Sequence, residues 1–239
     1  MLAEGGNSLM NLAYFLRERT KIIRLFYEKG RLPFEQQKRD IEDEVPPWEP
    51  SWFNPETDDP EPPFLDDWMQ AEQTRELVGL LAVSLLSDTL KLYFVELEQR
   101  IGLVFTEKKE QKALFKQDFV EAYRQILECI MGDTYATCPV RFDLIEQVVL
   151  ARNDFAHNTE LLTFQTRHNK QTLEKHPNPF FVETFYPPDS GEPSPWKTIK
   201  VEVSRDKLMM AIEEVEKLAD WVQQNEDVLW SWSRRAPKG

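Results

Sequence analysis

Apolar residues recur at the three- and four-residue spacing of an α-helix through most of this chain. Leu9, Leu12, Leu16, Ile23 and Phe26 form one stripe, with Asn7 or Ser8 placed to cap it and Gly30 and Pro33 placed to end it. A short helix follows over Phe34 to Glu44. From Asp66 or Asp67, either of which can cap it, a long helix runs to Ile101 or Gly102. Around Leu77–Leu86 that helix is apolar on nearly every side, the mark of a central buried element. Phe115, Phe119, Ala122, Ile126 and Ile130 stripe a third segment, about Lys108 to Met131, which Gly132 and Asp133 break. A fourth covers about Val140 to His157.

The texture then changes. Phe180–Tyr186 and Lys197–Val203 are β-branched or aromatic and flank the turn-rich Pro187–Pro195, which predicts a two-stranded hairpin over about 180–203. Ser204 or Asp206 caps a last helix with Leu208, Ile212, Val215, Ala219 and Val222 on one face. The expected fold is an all-α helical bundle with a small β-hairpin insertion before its last helix. Its parts read as an N-terminal helical segment (1–44), a loop (45–65), the bundle (66–232) and a tail (233–239).

Composition narrows the class. The 239 residues are 41% apolar and 30% charged, which suits neither a disordered tail nor a membrane bundle. The longest apolar run, Leu77–Leu86, falls short of the ~30 Å core of a bilayer. No secretory signal is visible near Met1, and two cysteines, Cys129 and Cys138, make no disulfide framework. A cytoplasmic protein without a membrane partner is expected.

The net charge of −13 argues against nucleic-acid binding until its distribution is considered. Between Asp40 and Glu76 thirteen acids face one base, Arg75, so that stretch holds −12 of the total and the rest of the chain is close to neutral. The stretch is also rich in proline and interleaves Trp48, Trp52, Phe53, Phe64 and Trp68. It reads either as a long loop pinned down by aromatic anchors, or as an acidic strap that mimics nucleic acid or occludes a basic site.

The search for chemistry is mostly negative. There is no Gly-rich phosphate loop, no dinucleotide fingerprint and no Gly-x-Ser-x-Gly elbow. Cys129 and Cys138 lack metal-ligand spacing, and Trp221, Trp230 and Trp232 read as packing anchors. One segment stands out: Arg152-Asn153-Asp154-Phe155-Ala156-His157. On a helical wheel set at Leu144, Arg152 falls at about 80°, beside Val148 at about 40°, inside the apolar arc. A guanidinium there needs an anion or a partner carboxylate, with Glu96, Glu98 and Glu146 as candidates. His157 lies about 140° further round and can both take and give a proton near neutral pH.

Arg152 and Asn153, then His157 after four intervening residues from Arg152, near the end of a helix in a bundle, resemble the signature of the HEPN domain family. The resemblance is close over the motif helix and loose over the bundle, from about Asp66 to Trp230. It implies metal-independent RNA cleavage with Arg152, His157 and Asn153 as catalytic residues, no cofactor and no metal. It also implies a homodimer joined through the motif helix. In that setting Arg167 and Lys170 are weaker candidates for contacting RNA, and the three histidines, His157, His168 and His176, lie within twenty residues. Such proteins often serve as toxins or effectors of bacterial defence or toxin–antitoxin systems, paired with a protein partner or antitoxin. The alternative is a non-catalytic HEPN-type scaffold or inhibitor that acts through its acidic aromatic loop.

Overall fold

Helix α3, Leu65–Ile101, is the element on which the rest is assembled. The computed structural model describes residues 10–49, 62–103, 114–115, 118–161, 165–182 and 200–235. Within these, α1 (Met10–Gly30) and α2 (Leu32–Glu42) precede α3, and α4 (Phe119–Met131) leads through a 3₁₀ turn (Gly132–Thr137) into α5 (Phe142–His157). The short α6 (Lys170–Lys175), then α7 (Arg205–Gln224) and α8 (Glu226–Arg235), complete the chain. The all-α expectation holds.

Local signals account for many boundaries. Gly102 ends α3 with a φ of 65° and donates its N–H to the Gln99 carbonyl at 3.3 Å, the left-handed stop that glycine adopts without a Cβ clash. Ser204 caps α7 by accepting the Lys207 N–H. Pro33 sits in the first turn of α2, where no N–H is needed. The start of α3 departs from expectation. Phe64 occupies the position before the helix in a left-handed conformation, so Asp66 and Asp67 lie inside the first turn, where they complement the helix dipole. The cap expected at Asn7 or Ser8 lies outside the described residues.

Helices α1, α2, α5 and α7 all pack on α3. Gly79 makes one of these contacts close: a Cβ there would stand 3.0 Å from the Val203 Cβ and 3.1 Å from the Val203 carbonyl oxygen. At the other end of α3, Phe94 stacks on Tyr123 of α4 with centroids 4.0 Å apart and planes within 6°. Phe119 meets both rings edge-on. Helix α1 is fastened to α7 by the fork of Arg24 on Glu216, at 2.7 and 3.1 Å.

One expectation about α3 is corrected. Val78, Leu80, Val83, Leu86, Leu90 and Phe94 are buried, but Leu77, Leu81, Leu85, Leu92 and Val95 are 38–51% exposed. Over Leu77–Leu86 the helix is apolar nearly all round, yet among the described residues only part of it is covered. By length and hydropathy α3 could also cross a bilayer, although 61% of its apolar window is buried against protein.

The hairpin expected over about 180–203 falls largely outside the described residues. At its described ends a single antiparallel bridge joins Val182 to Val201, while Lys200 pairs with Arg167. In the acidic loop, Trp48 meets Phe64 edge to face at 5.4 Å; Trp52 and Phe53 lie outside the described residues.

Candidate functional site

Helix α5 buries Leu144, Ile145, Glu146, Val148, Ala151 and Asp154. The motif therefore sends Asp154 inward, not Arg152. The Arg152 side chain is 39% exposed, with Nε 3.8 Å from Asp88 Oδ1 on α3 and Nη1 3.3 Å from Asn153 Oδ1. Its carboxylate partner is Asp88, and not Glu96, Glu98 or Glu146.

The burial of Asp154 follows from the path of the chain after α5. The stretch 165–182 runs back along the helix and is tied to it at successive points. His168 and Asn169 meet Asp154, Lys175 and His176 meet Glu146, and the Phe180 N–H donates to Gln147 Oε1 at 2.5 Å. Glu146, Gln147 and Asp154 span about 200° to 300° on the wheel, the side opposite Arg152. The covering segment thus buries a polar flank. Arg152 lies on the same angular side as the buried Ile145 and Val148, but nearer the helix end, where its side chain stays 39% exposed beside α3.

Asp154 is the anchor. Its carboxylate is fully buried. Oδ1 accepts the Asn158 side-chain amide at 2.8 Å, the Asn169 side-chain amide at 2.7 Å and the Asn169 backbone N–H at 3.3 Å. Oδ2 lies 2.9 Å from His168 Nδ1, and the other ring nitrogen of His168 lies 3.1 Å from the Phe181 carbonyl. A buried carboxylate is tolerated when its lone pairs are met in this way. Asn169 in turn caps α6 by accepting the Thr172 N–H at 2.7 Å. One side chain thereby fixes the end of α5, the start of α6 and the segment leading to Phe181.

His157, the last residue of α5, is exposed, and its side chain makes no hydrogen bond among the described residues. Arg152 and Asn153 touch each other; His157 emerges on a different side of the helix end, about 140° round the wheel. Of the weaker candidates, Arg167 pairs with Glu160 at 3.2 Å, and Lys170 is 90% exposed, 3.6 Å from Glu174.

A second polar cluster sits at the other end of the covering segment. Asp118 caps α4, accepting the Val120 N–H at 2.9 Å, and also receives Lys175 Nζ at 2.6 Å. Lys175 bridges to Glu146, whose other oxygen lies 3.2 Å from His176 Nε2. Burial, reinforced by the neighbouring Asp118, pushes the Glu146 carboxyl up to about 7. Burial acts on Asp118 in the same sense, but hydrogen bonds from Glu146 and Lys175 outweigh it and hold that carboxyl below its ordinary range. Burial, with the Lys175 charge, lowers His176.

Neither cluster was anticipated as a site. Asp118 carried a local signal, an acidic cap three residues before Glu121. The pairing of Asp154 with His168 carried none, because it joins residues fourteen apart in sequence. Among the described residues no group of three or more His, Cys, Asp or Glu side chains is arranged to hold a metal ion. No protein-family model, curated protein or solved structure matches the chain.

Proposed function

We propose that this protein is a HEPN-like, metal-independent endoribonuclease, with the segment about 180–203 as its β-insertion. The observation that carries the reading is the division of labour within the motif. Asp154 is buried and clamps the helix end, while Arg152, Asn153 and His157 stay within reach of solvent. A positioned cation and an unpartnered imidazole on a rigid support are what phosphodiester cleavage by an internal nucleophile requires.

In this mechanism the ribose 2′-oxygen attacks the adjacent phosphorus and loses its proton to a general base. The bond to the 5′-oxygen breaks, and that oxygen takes a proton from a general acid. The products are a 2′,3′-cyclic phosphate and a 5′-hydroxyl. His157 fills one proton-transfer role and its copy in a second chain the other. Arg152 exchanges its loose contact with Asp88 for the scissile phosphate, and Asn153 orients the guanidinium.

Two chains are needed because Arg152 and His157 leave α5 on different sides. The exposed leucines of α3 on either side of Asp88 supply apolar area for a two-fold contact beside the motif. The biological setting proposed is that of a toxin or defence effector held in check by a protein partner.

The test is cleavage of single-stranded RNA in excess EDTA, with the ends identified. Cyclic phosphate produced by the natural chain and lost in both His157→Ala and Arg152→Ala supports the mechanism. Cleavage that persists in those variants, or that needs Mg²⁺, refutes it.

A further inference from the structure

The end of α2 and the start of α3 enclose a cavity of about 410 Å³ that the ribonuclease reading does not use. Three aromatic rings, Trp48, Phe64 and Trp68, line it together with two carboxylates, Glu42 and Glu44. The Trp68 indole N–H donates to Glu42 Oε1 at 2.7 Å, which fixes ring and carboxylate relative to each other. The Glu44 side chain makes no hydrogen bond or ion pair among the described residues, so its oxygens are available. Trp68 already holds one ammonium: Lys38 Nζ stands 4.1 Å from its ring centroid. That lysine does not line the cavity, and it pairs at 2.5 Å with Glu72, a carboxylate it shares with Arg75. The cavity lining therefore presents aromatic faces and two carboxylates, with no lysine or arginine among its described lining residues.

This chemistry selects an organic cation and rejects phosphates and carboxylates. Among cations, a quaternary ammonium has no N–H to offer the two glutamates, and a lysine ammonium offers a point charge without a flat face. A guanidinium stacks on aromatic rings and at the same time turns its edge donors to carboxylates. The chain's own connection between the two walls, residues 50–61, contains no lysine or arginine, so the cation comes from elsewhere. We propose that this cavity binds an arginine side chain presented by a basic protein partner. The proposal stands apart from the ribonuclease reading and does not need it.

The experiment titrates the full chain with a blocked Gly-Arg-Gly peptide, following the indole N–H resonances by NMR. A blocked Gly-Lys-Gly peptide and tetramethylammonium serve as comparison probes. Saturable binding of the arginine peptide is expected, with a dissociation constant on the order of 1 mM for so small a ligand. It should weaken about fivefold or more in Glu44→Gln and in Trp48→Leu, and weaken again as salt is raised. Glu44 is exposed and its substitution conservative, so an unchanged melting temperature in Glu44→Gln shows that the fold is intact even where Trp48→Leu loses stability. Absence of saturation, equal affinity for the lysine peptide or tetramethylammonium, or an affinity that Glu44→Gln leaves unchanged would each overturn the proposal.

Discussion

Replacing Glu146 with glutamine should change how the stability of this protein depends on pH, and the sign follows from the geometry. Glu146 is buried against Asp118, and its carboxyl is pushed up to about 7 from the ordinary 4.5. The folded chain therefore holds this proton more tightly than the unfolded chain between those values, and folding stability falls as pH rises through that window. At 1.36 kcal/mol for each pH unit separating folded and unfolded values, the loss has a ceiling of about 3 kcal/mol. His176 acts oppositely. Its value is lowered, so the unfolded chain binds that proton better below 6.5 and stability rises with pH there. The two effects offset each other at mildly acid pH, and the His176 effect fades over about one pH unit above 6.5, leaving the Glu146 effect. Glutamine imitates the protonated carboxyl, offering an N–H to Asp118 and a carbonyl to Lys175. Urea denaturation followed by tryptophan fluorescence at pH 5.5, 6.5 and 8 measures the outcome. The natural chain should lose stability between pH 6.5 and 8, and Glu146→Gln should not, ending more stable at pH 8 by up to about 3 kcal/mol. Parallel profiles for the two proteins would refute the reasoning.

Four further outcomes are expected. Asp154→Ala leaves His168, Asn158 and Asn169 without their acceptor in a buried site and should cost about 3–5 kcal/mol, read as a fall in melting temperature. Arg152→Ala and His157→Ala remove groups that face solvent, so each should stay within about 0.5 kcal/mol of the natural chain while RNA cleavage is lost. Leu85→Glu, on the exposed stripe of α3, should convert a dimer to a monomer in analytical ultracentrifugation without loss of helicity by circular dichroism. Phe94→Ala, which removes a fully buried ring stacked on Tyr123, should cost about 3–5 kcal/mol in the same denaturation assay.

Much of the bundle was legible because its signals are local. The glycine stop at Gly102, the cap at Ser204 and the span of α5 each depend on a few neighbouring residues. Arg152 was misplaced for a different reason. A helical wheel places Arg152 between the buried Val148 and Ile145. It does not show that burial lessens toward the helix end, where Arg152 is 39% exposed, or that a segment returning from beyond His157 buries Asp154. Only hydrogen bonds between residues far apart in sequence reveal that path. The same limit applied to Leu77–Leu86. Hydropathy shows that a helix is apolar on all sides, but not whether its own chain or another molecule covers each side. The acidic loop was legible as chemistry: the aromatic and acidic residues noted in the sequence do converge, with Trp48, Phe64 and Trp68 around one cavity.

The exposed side of α3 bears most directly on how this protein works. Leu81, Leu85 and Leu92 lie on one stripe, with Asp88 among them and Arg152 of α5 beside it at 3.8 Å. A stripe of leucines left to water is an aggregation liability, and soluble proteins usually reserve such a patch for a partner. A single Asp–Arg contact at that length and exposure adds little to the stability of one chain. Placed near a two-fold axis, the same two charges become self-complementary, because each aspartate can meet the arginine of the other copy. The residue that would pair across such an interface is also the one proposed to hold phosphate. Substrate and dimer contacts would then compete for, or share, the Arg152 guanidinium. Assembly and activity are therefore expected to be coupled through Asp88, a residue outside the motif.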